Sequence, residues 1–165
     1  MKRKVSIIGA GNVGATTAQL VVQSGIADVV LFDVVEGMPQ GKALDMAEAC
    51  PLWNSSSSIS GTNDYSDTSG SDIVVVTAGL ARKPGMSRSD LLHANADIIR
   101  AVCSKIAKTS PHTVLIIVTN PMDVMAQLAW KTTGFSCNSV MGMGGVLDAA
   151  RLAAFLSWEL NVSPE

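Results

Sequence analysis

The sequence predicts an α/β protein built on one doubly wound, parallel, six-stranded sheet. Three observations lead there. Continuous Val/Ile-rich runs, such as Ile73-Val74-Val75-Val76 and Val114-Leu115-Ile116-Ile117-Val118, read as strands buried on both faces. Segments with apolar residues at helical spacing alternate with these runs. The glycine-rich turn Gly9-Ala10-Gly11-Asn12-Val13-Gly14 joins the first strand to the first helix.

The elements follow in order. Lys4 to Gly9 is a short apolar strand ending in glycine, and Asn12 to Gln23 is a helix with Val13, Thr16, Thr17, Leu20 and Val21 at helical spacing. Val29 to Asp33 is the second strand. Pro39 to Ala49 is a helix ended by Pro51. Ser55 to Ser58 forms a solvated loop into an edge strand, Ser58 to Gly61. Asp72 to Thr77 is a central strand and Ser89 to Lys108 a long helix. Thr113 to Thr119 is another buried strand. Met122 to Thr133 is a helix closed by Gly134. A short strand, Ser139 to Met143, and a helix, Val146 to Leu160, complete the chain. No repeat of solenoid period is present.

Composition narrows the function classes. The 165 residues suit one main domain with a sizeable core, and the 47% apolar fraction argues against disorder. A net charge of −2 argues against a nucleic-acid surface. No apolar run reaches membrane-spanning length, and the run after Met1-Lys2-Arg3-Lys4 breaks at Gly9, so neither a membrane protein nor a signal peptide is expected. Cys50, Cys103 and Cys137 are odd in number and lack a CxxC pair, which points to free thiols in a reducing cytoplasm and to no metal site.

The turn Gly9 to Gly14 is a G-x-G-x-x-G between strand and helix, and Asp33 lies 19 residues beyond it at the end of the second strand. The first glycine permits the turn, the second lets backbone approach a pyrophosphate, and the third lets helix and sheet pack closely. The helix N-terminus offers N–H groups and positive dipole to phosphate. A carboxylate at Asp33 suits ribose hydroxyls and repels a 2′-phosphate, so NAD is favoured over NADP; the other reading of Asp33 is a turn former. This is the Rossmann-type dinucleotide-binding pattern.

A second group of residues suggests an anionic substrate. Arg82 and Arg88 flank a Pro/Gly loop after the strand ending at Thr77. Arginine suits bidentate recognition of carboxylates, and such loops border ligand sites in open α/β sheets. The alternative is two solvated loop charges. Asn120, before Pro121, reads as a ligand for a substrate hydroxyl or ribose, or as a turn residue. Asp148 and Arg151 share one helix face, as a surface ion pair or as a carboxylate clamp with its orienting acid.

The segments Ala81-Arg82-Lys83-Pro84-Gly85-Met86-Ser87-Arg88, Val118-Thr119-Asn120-Pro121-Met122-Asp123 and Leu147-Asp148-Ala149-Ala150-Arg151 resemble those of malate dehydrogenases of the lactate-dehydrogenase-like type, in their N-terminal NAD-binding portion. The resemblance implies an NAD-binding domain over 1–144 and, over 145–165, the start of a substrate domain. It implies reversible hydride transfer between malate and NAD giving oxaloacetate, in the tricarboxylic acid cycle and the cytoplasm, by a homo-oligomer (dimer or tetramer) that binds neither nucleic acid nor membrane. Arg151 would grip one substrate carboxylate and Arg82 the distal one. Arg88 would polarise the reacting oxygen, Asn120 would position substrate and nicotinamide, and Asp148 would orient a catalytic histidine. Gly9, Gly11, Asn12, Val13, Gly14, Asp33, Thr77, Ala78, Gly79, Asn95, Val118 and Asn120 would surround the cofactor. The helix beginning near Gly41 would face a partner subunit.

The family's proton acceptor lies in a His-Gly-Asp segment expected beyond Glu165. His93 and His112 are the two histidines here, and neither sits in such a motif. The chain alone is therefore expected to bind NAD weakly and not to turn over malate at a useful rate. The alternatives are a stand-alone NAD-binding module and a lactate-type dehydrogenase, the latter disfavoured by Arg82. A short-chain reductase is excluded, because Tyr65, the one tyrosine, is followed four residues later by Ser69 instead of lysine.

Overall fold

The computed structural model describes residues 2–81 and 85–164. Its elements are β1 (Arg3–Ile8), α1 (Asn12–Gln23), β2 (Ala27–Phe32), α2 (Met38–Ala49), β3 (Ile59–Thr62), β4 (Ile73–Val76), α3 (Arg88–Thr109), β5 (Val114–Ile117), α4 (Met122–Thr133), β6 (Val140–Gly142) and α5 (Val146–Leu160), with 3-10 turns at Tyr65–Thr68 and Cys137–Ser139. The strands form one parallel sheet in the order β3-β2-β1-β4-β5-β6. The chain winds outward from β1 to β3, returns to β4 beside β1, and winds the other way. The strand order therefore reverses between β1 and β4, where open α/β sheets bind ligands beyond their carboxyl ends.

Burial on both faces explains the continuous apolar runs. Ile7 and Ile8 are both buried but point to opposite sides, as successive strand residues must. Ile7 joins Ala18, Val22 and Leu31 beneath α1 and α2. Ile8 joins Val74, Val76, Ile99, Ile106, Ile117 and Met125 beneath α3 and α4. The predicted elements are all present: the helices Asn12–Gln23, Met122–Thr133 and Val146–Leu160 keep their expected ends, and the others shift by one or two residues. β5 ends at Ile117; the Val118 N–H still donates to the Val76 carbonyl at 2.9 Å, and beyond it the Thr119 hydroxyl donates to the Ala78 carbonyl at 2.7 Å. α3 begins at Arg88 because Ser87 and Asp90 form a reciprocal capping box. Gly134, at φ +67°, ends α4 as expected.

α5 differs from the other helices. Only Ser157 is buried on it, while Leu152, Phe155, Leu156 and Trp158 are exposed. The other helices have a dry side against the sheet; α5 has almost none.

Candidate functional site

A cleft of about 600 Å³ opens at the carboxyl ends of β1, β2 and β4. Gly9 and Gly11 border it from the glycine turn, Asp33 from the end of β2, and Thr77, Ala78 and Gly79 from the end of β4. Six residues named from the sequence as cofactor ligands are thus brought to one place by the strand reversal.

The three glycines of the turn differ in what surrounds them. Gly9 has φ +110°, and a Cβ there would sit 2.7 Å from the Ala78 nitrogen. A Cβ on Gly14 would collide with the Gly9 carbonyl oxygen and lie 2.7 Å from Thr77 Oγ1. These two are required by the protein's own packing. Gly11 has φ −65° and nothing within 4 Å of its Cβ position, so the fold itself does not demand glycine there. Gly11 also borders the cleft.

Beside this space lies the start of α1. Gly11, at the N-cap, makes no side-chain cap, and the first turn carries no acidic residue. Asn12 and Val13 are exposed there. α3, by contrast, is closed by its capping box. An uncapped N-terminus facing a cleft suits an anion.

Asp33 forms the opposite wall. The Ala10 N–H donates to its Oδ2 at 2.6 Å and the Val35 N–H to its Oδ1 at 3.0 Å. Each oxygen keeps a lone-pair direction for a further donor, as a ribose diol requires. The Asn63 side chain donates to the Asp33 carbonyl at 2.7 Å and accepts from Gln40 at 2.6 Å, which ties the end of β2 to α2.

Below Asp33 the cleft is apolar. Val34, Val35, Ile98, Ala101 and Val102 line it, and Lys105 also borders it. The Tyr65 ring lies 4.0 Å from that of Phe32. Burial, with smaller contributions from Cys103 and Asp33, pushes the Tyr65 phenol up to about 12. Sequence reading did not pick out this slot for a ligand. One signal was available: Ile98, Ala101, Val102 and Lys105 follow at three- and four-residue spacing along α3.

Asn95 and Asn120 are not among the residues lining the cleft; Asn95 bonds Leu80, which is. Asn95 is 1% exposed. Its Oδ1 accepts from the Leu80 N–H at 2.7 Å and its Nδ2 donates to the Asn120 carbonyl at 2.7 Å. It cross-links the two loops leaving β4 and β5, with its amide spent on protein groups. The Asn120 residue itself is exposed, and Val118 is half-buried against the core beneath α1 and α2.

The substrate-directed residues are less assembled. Arg82 lies outside the described residues. Arg88 opens α3, and its backbone alone is described. Asp148 and Arg151 pair at 3.0 Å on α5, with side chains 78% and 60% exposed. They do not border the cleft. Such a pair is worth at most about 1 kcal/mol. His93 is exposed, with Nδ1 2.7 Å from the Ser89 carbonyl on its own helix. His112 precedes β5, at the end of the sheet opposite the cleft. Neither reaches the cleft. No group of three or more His, Cys, Asp or Glu side chains that could hold a metal occurs among the described residues. Cys50, Cys103 and Cys137 are free.

The chain is similar to known proteins over nearly all of its length. Residues 3–142 match the family model described as "lactate/malate dehydrogenase, NAD binding domain". The chain is 55% identical over 162 residues to a malate dehydrogenase of Geotalea uraniireducens, covering 98% of this chain and 51% of that protein. It is likewise 55% identical over 164 residues to one from Thermomicrobium roseum, covering 99% and 53%. Among solved structures, the apo malate dehydrogenase of Picrophilus torridus superposes with a TM-score of 0.96 at 46% identity, covering 99% of this chain and 52% of that one. A lactate dehydrogenase of Cryptosporidium parvum, solved with lactic acid and nicotinamide adenine dinucleotide, superposes with a TM-score of 0.95 at 43% identity, with coverage of 99% and 52%. The chain spans about half the length of the relatives it matches. The chain belongs to the lactate/malate dehydrogenase family, as an NAD-binding domain of that family.

Proposed function

We propose that this chain is the cofactor-binding portion of a malate dehydrogenase, catalysing reversible oxidation of malate to oxaloacetate. NAD, when bound, supplies the hydride acceptor. The observation that carries the reading is the pairing of Gly11, which the fold does not require to be glycine, with an uncapped α1 and the Asp33 carboxylate across one cleft. In this reading the N–H groups around Gly11, Asn12 and Val13 receive the pyrophosphate, Asp33 receives the ribose hydroxyls, and the slot beside Tyr65 takes a flat ring. Thr77, Ala78 and Gly79 floor the cleft, with Val118 and Asn120 flanking it. Asn95 fixes the loops around it.

For the substrate, Arg82 binds the distal carboxylate, Arg88 the reacting oxygen and Arg151 the other carboxylate. Asp148 orients the proton acceptor, and Asn120 positions the substrate. Closure of the loop carrying Arg82 excludes water from the transfer. Neither His93 nor His112 serves as that acceptor, since neither faces the cleft. Residues 1–144 form the NAD-binding domain and 145–165 begin the substrate domain, a division supported by the exposure of α5. A malate substrate is supported by Arg82, since an uncharged residue at that position suits a monocarboxylate, and by the names of the most similar relatives. The reading places the reaction in the tricarboxylic acid cycle and the cytoplasm, in a homo-oligomer. Exposed Leu20 and Leu44, on α1 and α2, support the last point. No described helix is long and apolar enough to cross a membrane.

The test is NAD binding by titration calorimetry, with NADH formation from malate measured alongside. The expected result is saturable NAD binding and no useful malate turnover by the 165 residues alone. Addition of a chain carrying the remaining half of a relative should restore turnover, which Arg82→Gln abolishes. Malate turnover by the 165 residues alone would overturn the assignment of the proton acceptor, and absence of NAD binding would overturn the whole reading.

A further inference from the structure

Lys42 on α2 had no place in the sequence reading and does not border the cleft. Its half-buried side chain nevertheless reaches the glycine turn, where Nζ donates to the Ala10 carbonyl oxygen at 2.6 Å. That carbonyl belongs to the same peptide unit as the Gly11 N–H. The Asn120–Pro121 bond is the one cis peptide among the described residues, so the Ala10–Gly11 unit is trans and planar, with C=O and N–H pointing in opposite directions. Lys42 holds the carbonyl from the α2 side. The N–H therefore faces away from Lys42, and Gly11 itself borders the cleft. The Gly11 N–H has no acceptor among the described residues. The preceding N–H, of Ala10, is held by Asp33.

We infer that Lys42 is a positioning residue for the cofactor: its ammonium orients and polarises the Ala10–Gly11 peptide so that the Gly11 N–H is a strong, pre-aimed donor to the dinucleotide's pyrophosphate. A cation on the carbonyl oxygen draws electron density from the amide and strengthens its N–H as a donor, and the effect is larger in a partly buried setting than in water. The fixed orientation also spares the cost of ordering the turn when the ligand arrives. Two contacts keep α2 in place for this role. Gln40 bonds Asn63, which holds the end of β2, and Gly61 on β3 packs directly under the Pro39 carbonyl, where a Cβ would collide. α2 thus grips both walls of the cleft, through Asn63 on one side and through Lys42 on the other.

The inference rests on the NAD reading, and the experiment separates the two. Lys42→Met, Lys42→Gln and Lys42→Arg are compared with the unsubstituted protein in two measurements: the Gly11 amide proton shift in the ligand-free protein, and the dissociation constants for NAD and ADP-ribose. Lys42→Met should move the Gly11 amide proton upfield without ligand and weaken both ligands about tenfold. Lys42→Arg, which keeps the cation, should restore binding to within about threefold, with Lys42→Gln between the two. If Lys42→Met fails to fold, the Gln and Arg pair carries the same comparison. An unsubstituted protein that binds NAD, with variants that bind equally well and an unmoved Gly11 amide, would overturn the role of Lys42 alone. An unsubstituted protein that binds neither ligand would overturn the cofactor reading and this inference with it.

Discussion

Replacing Gly11 with alanine separates what the fold needs from what the ligand needs. Gly11 has φ −65° and open space at its Cβ position, so alanine fits without strain. Alanine at a compatible site stabilises by roughly 0.4–1 kcal/mol through the unfolded chain. Against this, glycine is the better N-cap by roughly 1 kcal/mol. The two effects oppose, so Gly11→Ala should leave the unfolding free energy within about 1 kcal/mol of the starting value. The new methyl group, however, fills the space next to the uncapped N-terminus of α1. Overpacking of this kind costs about 1–3 kcal/mol, which corresponds to NAD affinity weaker by about five- to 150-fold. Gly14→Ala is the matched control. Its Cβ would collide with the backbone carbonyl of Gly9, which cannot swing aside as a flexible side chain could, so it should lose at least about 3 kcal/mol of stability. Urea unfolding and NAD calorimetry on both variants supply the numbers. A Gly11→Ala protein of normal stability that binds NAD within about twofold would refute the placement of the pyrophosphate. A Gly14→Ala protein of normal stability would refute the packing account.

Two further predictions concern groups around the cleft. Asn95→Ala removes the two 2.7 Å hydrogen bonds joining the loops after β4 and β5 and leaves a small cavity; it should cost about 2–4 kcal/mol in urea unfolding and weaken NAD binding, and a loss below about 1 kcal/mol would show that water replaces the amide. Tyr65 is the only tyrosine, so its ionisation can be followed alone by phenolate absorbance. Its folded pKa is raised from 10.0 to about 12, so the stability it contributes is complete below pH 10 and is lost as pH rises toward 12. A native-state midpoint near 10 would contradict its burial against Phe32.

The sequence by itself determined the architecture and half of the site. Burial on two faces leaves uninterrupted runs such as Ile73 to Val76, which few other folds tolerate. Gly9, Gly14 and Asp33 were legible because each answers a local demand: a left-handed φ, a close backbone approach, a carboxylate at a strand end. Strand ends were less legible, as at Thr119, because a hydroxyl can satisfy a carbonyl across the turn in place of a ladder bond. Tertiary structure alone decided three matters. Asn95 is a loop clamp, since its partners, Leu80 and Asn120, lie 15 and 25 residues away along the chain. Asp148 and Arg151 form an exposed pair, because α5 finds almost no surface of this chain to pack on. Lys42 joins the glycine turn, because α2 follows β2 closely enough for its ammonium to reach the Ala10 carbonyl. Local chemistry is written along the chain, whereas a hydrogen bond across 32 residues exists only once the sheet order brings its ends together.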